Sequence, residues 1–348
     1  MSYPSPPPPP WAPPYAWRAY YTEVQKRGIR RLSNIHGGAL LFSSVLQAAV
    51  IIPLSLLPGL IPALEGDPGW NSVLQMALTV LTLGTAALLC LRLLNPHEHN
   101  RALPFGRPFP AAPRGRRGSL TAAVICLGLL ACFIGGLLSN LVETICNSLG
   151  FSLAIPDDSE TLSGSPWIVA LRLLVVALSP AVIEELLMRG AIMQPLRRYG
   201  DVFAVVVSSL LFALLHGNVL QSTFALFAGL GMGFAVVLSG SIWPGIVVHF
   251  VNNAISVLLT EMFLRYEGNE RMETLTGLGY YGFYLLAGAV GVALLIFLLA
   301  RRSFPKLWKP DPPLAGYGTL AAQYLFHSVP MVLALLGFVA TTILMAVS

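Results

Sequence analysis

Charge is what this 348-residue chain has least of: Asp, Glu, Lys and Arg together make up 11% of it, against about 25% in an ordinary soluble domain. Hydrophobic residues make up 55%, and the mean hydropathy is +0.71. That balance excludes an ordinary soluble domain. The four cysteines, Cys90, Cys126, Cys132 and Cys146, show neither CxxC nor zinc-ligand spacing; the three inside apolar runs read as small hydrophobes. There is no HExxH zinc motif, no GxSxG elbow and no paired intramembrane Asp. No internal repeat is visible, which argues against an inverted-repeat transporter. No basic stretch interleaves with aromatics on a soluble segment, so nucleic acid is not an expected partner.

What the chain has instead is apolar runs, each long enough to cross a hydrocarbon core about 30 Å thick. They lack period-two alternation and therefore read as helices rather than barrel strands. Spans are predicted at 38–63, 71–94, 119–143, 167–190, 202–217, 220–240, 242–263, 277–300 and 325–347. The fifth is short and the sixth follows at once, so the two together also read as a single hairpin. The expected fold is an all-α polytopic membrane protein of eight to nine transmembrane helices, with a core bundle holding an intramembrane site. The first run is too long for the apolar region of a cleaved signal and reads as a signal anchor. Residues 1–36, with Pro6 to Pro10 consecutive, are expected to form a disordered, proline-rich cytoplasmic tail. Residues 37–118 then supply two N-terminal spans and a basic loop, 119–263 the core, and 264–348 further spans.

The net charge of +5 is unevenly placed. Arg18, Lys26, Arg27, Arg30 and Arg31 precede the first span. Arg101, Arg107, Arg114, Arg116 and Arg117 follow the second, Arg197 and Arg198 the fourth, and Arg301, Arg302, Lys306 and Lys309 the eighth. The alternate loops are acidic, with Glu65 and Asp67, then Asp157, Asp158 and Glu160, then Glu261, Glu267, Glu270 and Glu273. By the positive-inside rule the N-terminus is cytoplasmic and the C-terminus outside. Asn140 and Glu143, near the far end of span three, are expected at the membrane interface.

Three polar clusters interrupt this apolar background. A carboxylate at membrane depth costs from about 2.5 to well over 10 kcal/mol and marks a functional site by default. Glu184-Glu185-Leu-Leu-Met-Arg189 contains two of them. Glu185 and Arg189, four apart, share a helix face and can pair; Glu184, rotated by about 100°, has no same-helix partner and is free to face a cavity. Pro180 is expected to kink the span. Phe212-Ala-Leu-Leu-His216 and His249-Phe-Val-Asn252-Asn253 follow on later spans. Singly, each residue reads as packing glue. As a set, a carboxylate and an imidazole can deprotonate a water, and an imidazole with an amide can stabilise an oxyanion. Counted along straight helices, His249 lies roughly 10 Å from the basic face and His216 roughly 20 Å, so a shared cavity requires span five to tilt or to begin along the interface. Gly229-Leu-Gly-Met-Gly233 reads as a close-packing stripe.

In these clusters the chain resembles the CAAX-protease and bacteriocin-processing family of intramembrane proteases, whose pattern is EExxxR, then FxxxH, then HxxxN on successive helices. The resemblance covers about residues 120–263. It implies an endopeptidase acting on a membrane-associated peptide or protein, prenylated or bacteriocin-type. Glu184 and His216 would activate water, His249 and Asn253 would form the oxyanion hole, and Glu185, Arg189, Phe212 and Asn252 would support them. A second scheme places zinc on Glu184, His216 and His249 with Glu185 as base. The alternatives to a protease are a non-proteolytic scaffold or immunity factor of the same fold, and a transporter using Glu184 and His216 as a proton relay.

Overall fold

In the computed structural model the described residues are 7–55, 68–94, 117–151, 153, 165–307 and 317–347. All regular structure among them is helical, as an apolar chain requires: in lipid, each backbone N–H must be satisfied within its own segment or in a closed barrel. The helices are α1 (Pro14–Ser55), α2 (Ser72–Leu93), α3 (Arg117–Ser148), α4 (Pro166–Tyr199), α5 (Asp201–Leu215), α6 (Val219–Ser239), α7 (Trp243–Arg265), α8 (Glu270–Ala300), α9 (Tyr317–Leu325) and α10 (Val329–Val347). Among the described residues, α2, α3, α4, α6, α7 and α8 are long and apolar enough to cross a membrane. The chain is an all-α, multi-pass integral membrane protein.

Six predicted spans coincide with these six helices. The predicted span 202–217 is the 15-residue α5, about 22 Å long and so short of a core of about 30 Å. The predicted span 325–347 is divided between α9 and α10. The predicted span 38–63 runs past Ser55 into residues outside the described set, where Glu65, Asp67, Arg101, Arg107, Arg114, Arg116, Asp157, Asp158, Glu160 and Lys309 also lie.

The disordered tail expected for residues 1–36 does not extend so far. Helix α1 starts at Pro14, the last proline of the tract, and a proline at the first helical position sacrifices no hydrogen bond. Beyond it the sequence is free of proline until Pro53, and Ile29, Leu32 and His36 are buried. Opposite them lie α9 and α10: the Ser33 hydroxyl bonds the Leu325 carbonyl and, at 2.6 Å, the Ser328 hydroxyl.

Around the polar clusters, helices approach closely wherever glycine permits. The predicted stripe on α6 faces two ways. Methyls on Gly229 and Gly233 would meet Ser209 Cβ at 3.1 Å and Val205 Cγ1 at 2.8 Å on α5, and one on Gly231 would meet Ala131 Cβ at 2.5 Å on α3. Helix α8 closes on α3 in the same way, through Gly288 against Leu130 and Gly291 against Cys126. The C-terminal spans are thus packed onto the core, and α8 forms part of it.

Helices α4 and α5 form an antiparallel hairpin about Gly200. Arg197, read from sequence as a loop charge, is buried at 2% exposure, and its Nε donates to Asp201 Oδ1 at 2.7 Å. The segment from Gln194 to Tyr199 is helical and largely buried, so α4 continues where the sequence reading ended it. That resolves the depth mismatch: Glu184 and His216 stand equally far along the chain from Gly200 and line one cavity.

Gly200 has φ 118° and ψ 144°, a region open essentially to glycine alone. A Gly200→Ala change is expected to destabilise the protein by about 1–3 kcal/mol, read as a lowered thermal midpoint in detergent; an unchanged midpoint would contradict this account of the turn.

Candidate functional site

The site begins with a missing donor. Pro180 has no N–H, so the carbonyl of Val176, four residues earlier, has no α-helical partner there. Helix α4 accommodates the proline with a π-helical stretch over Leu173–Leu178, in which the Ser179 N–H bonds the Leu174 carbonyl five residues back. The kink expected at Pro180 is therefore a widened turn, a feature common at functional sites. A second π-helical stretch, Leu186–Met193, follows. Glu184 and Glu185 stand between the two.

The two carboxylates are separated as their helical phase requires. Glu185 and Arg189 are both fully buried and paired, with Arg189 Nη1 donating to Glu185 Oε1 at 2.7 Å. Arg189 Nη2 donates to the Gly229 carbonyl at 3.0 Å, which the absence of a side chain on that residue leaves accessible. Its guanidinium lies 4.8 Å from the Phe212 ring centroid, a cation–π contact. Gly245 gives Glu185 its room: a methyl there would come within 2.7 Å of Glu185 Oε2. Glu184 is partly exposed and lines a cavity of about 550 Å³.

His249, on α7, spans the two carboxylates. Its Nδ1 lies 3.3 Å from Glu185 Oε1 and its Nε2 lies 3.8 Å from Glu184 Oε2. Glu185 is therefore shared: it neutralises Arg189 and also fixes the orientation of His249, a link across helices that the sequence reading did not make. His216 sits at the C-terminal end of α5, where Gly217, at φ +61°, turns the chain and Asn218 caps α6 by accepting from the Leu220 and Gln221 N–H groups. His216 Nδ1 is 2.8 Å from the Phe212 carbonyl. Since that oxygen can only accept, Nδ1 carries the proton and Nε2 can present a lone pair. The Phe212 ring meets His216 edge-on at 4.9 Å and His249 at 5.8 Å.

On α7, Asn253 Nδ2 donates to the Val176 carbonyl at 3.1 Å and Asn252 Nδ2 to Asn253 Oδ1 at 3.3 Å. Tyr284 of α8 donates its hydroxyl to Asn252 Oδ1 at 3.0 Å. The cavity thus brings together Glu184, Phe212, His216, His249, Asn252 and Asn253. Glu185 and Arg189 stand behind its wall.

The sequence reading missed Tyr280 and Tyr284, which line the cavity from α8, and Gln75, which reaches it from α2. The signal was present: two tyrosines four apart in an apolar span share one face and need a polar partner when buried. Asn140, expected at the interface, also lines the cavity.

The zinc scheme does not fit these donors. Among the described residues no three His, Cys, Asp or Glu side chains are grouped to hold a metal ion. Glu184 and His249 face each other, but His216 does not complete a triad with them. Glu185, the base in that scheme, is fully buried and already engaged.

Replacing Arg189 by Met leaves Glu185 as an uncompensated buried charge, with an expected loss of about 3–5 kcal/mol. Adding Glu185→Gln to that variant should recover most of the loss. Thermal midpoints in detergent check both, and a double variant no more stable than Arg189→Met would count against the pairing as the source of the cost.

Residues 166–255 match the Rce1-like family, described as type II CAAX prenyl endopeptidase Rce1-like. No curated protein and no solved structure gives a significant match. The matched segment runs from the start of α4 into α7 and contains Glu184, His216, His249 and Asn253. Over this segment, which carries the three polar clusters, the chain is similar to that family of CAAX prenyl endopeptidases.

Proposed function

We propose that the protein is an intramembrane endopeptidase that hydrolyses a peptide bond of a membrane-associated substrate with a water activated by Glu184 and His216. One observation carries this reading: a carboxylate, Glu184, and two imidazoles line a single cavity within an apolar helical bundle. Such groups at membrane depth are expensive unless used.

The step runs as general acid–base hydrolysis. The Glu184 carboxylate and His216 Nε2 take a proton from water, whose oxygen attacks the scissile carbonyl carbon. Negative charge then develops on the carbonyl oxygen. The second N–H of Asn253 and the His249 imidazole serve as its oxyanion donors. The C–N bond breaks as the proton held on Glu184 or His216 passes to the leaving amine.

The lining bears on the substrate. An almost wholly apolar groove of about 450 Å³ runs between α7 and α8 past Phe250, Leu258, Met262 and Phe283. It shares Leu259 and Tyr280 with the polar cavity. A peptide carrying an apolar chain can lay that chain in the groove with its backbone in the cavity. This supports a prenylated or otherwise strongly apolar peptide as substrate.

Purified protein offered a library of prenylated and unmodified peptides tests the reading. Glu184→Gln and His216→Ala should each lower turnover by about 10²–10⁴-fold at unchanged thermal midpoint. Turnover surviving in both variants would remove Glu184 and His216 as the groups that activate water, and a wild-type protein that cleaves no peptide would remove the protease reading and leave a binding scaffold. Because the donors do not group around a metal ion, cleavage should persist in excess chelator.

A further inference from the structure

We propose that Tyr284 is a positioning residue for Asn253, acting through Asn252, and that Pro180 provides the far anchor of this chain. The proposal rests on the reading of Asn253 as an oxyanion donor. Tyr284 lies on α8, outside the matched segment 166–255.

A carboxamide has two orientations of nearly equal shape and opposite polarity. With nitrogen toward the cavity, Asn253 can stabilise an oxyanion; with oxygen there, it repels one. Nothing in the side chain itself chooses between them. The choice is made by the groups that it meets. At one end stands the Val176 carbonyl, an acceptor only. At the other stands the Tyr284 hydroxyl, which donates to Asn252 Oδ1 at 3.0 Å.

With its oxygen occupied by Tyr284, Asn252 turns its nitrogen to Asn253 Oδ1 at 3.3 Å. Asn253 Oδ1 is thereby held away, and Nδ2 turns to Val176 at 3.1 Å with one N–H left over. All three bonds run in one direction, from α8 through α7 to α4.

Each end is supplied by the sequence for a separate reason. In α-helical register the Val176 carbonyl would accept from residue 180, and Pro180 has no N–H to offer it. Tyr284 is held by packing: it is 2% exposed and its ring stacks on Phe133, with centroids 5.6 Å apart at 16°. Removing the hydroxyl alone leaves that stack in place, so the hydroxyl can be tested without a cavity forming.

The test is a pair of double-mutant cycles on the full-length protein in detergent, using Tyr284→Phe and Asn253→Ala. In peptide cleavage, Tyr284→Phe should lower kcat by about 10-fold with KM unchanged, a fraction of the 10²–10³-fold loss of an oxyanion donor. In the Asn253→Ala background the same change should have no further effect on kcat. Pro180→Ala restores an N–H that competes for Val176, and should lower kcat in the same manner. A Tyr284→Phe protein with wild-type kcat, or a loss that persists undiminished without Asn253, overturns the proposal.

The second cycle reads thermal midpoints and needs no substrate. The shifts from Tyr284→Phe and Asn253→Ala should be non-additive; strictly additive shifts mean that the chain does not couple the two residues, which also overturns it. A wild-type protein that cleaves no peptide removes the function proposed above, while the stability cycle still decides whether the chain exists.

Discussion

The buried pair of Glu185 and Arg189 is the constraint around which the rest of the site is arranged. Two charges taken out of water cost several kcal/mol each unless every polar atom finds a partner. The helix phase joins the two at 2.7 Å, but neither is satisfied by the other alone. The guanidinium reaches the Gly229 carbonyl and the face of Phe212, and the carboxylate reaches His249. Each demand draws in a different helix: α6 through a residue without a side chain, α5 through its aromatic ring, and α7 through its imidazole. The ion pair is thus a joint of four helices, although Glu185 Oε2 and Arg189 Nε remain buried without a hydrogen-bond partner.

Glu184 takes its character from what its neighbour has used up. Arg189 is committed elsewhere, so Glu184 has no cation on its own helix and faces the cavity partly exposed. Adjacent carboxylates one helical step apart therefore do different work, one holding and one available. The same division appears on α7, where His249 faces the carboxylates while Asn253 faces the carbonyl of Val176.

Much of this was legible in the sequence, and what was not has physical causes. Intrahelical relations are set by a fixed 100° rotation per residue, so the Glu185 pairing and the separate direction of Glu184 could be read directly. The grouping of Glu184, His216, His249 and Asn253 was readable only as a set of chemical types, because packing between helices decides which faces meet. The link between His249 and Glu185 belongs to that class. So does Tyr284, whose role depends on α8 lying against α3 through Gly288 and Gly291. Arg197 was misassigned because a loop charge and a buried partner of Asp201 look alike until the turn is folded. The helical start of α1 was missed because the proline tract outweighed the proline-free residues after it.

The turn at Gly200 has a consequence for how such a site can change over time. Glu184 and His216 are equidistant from that residue, so their separation along the chain is twice the length of one hairpin arm. Insertions or deletions in one arm carry its polar group past the other by about 1.5 Å and 100° per residue of α-helix. Compensated changes, one residue in each arm, preserve the level but still turn both side chains from the cavity. The spacing of the first two polar clusters is therefore a ruler built into the fold.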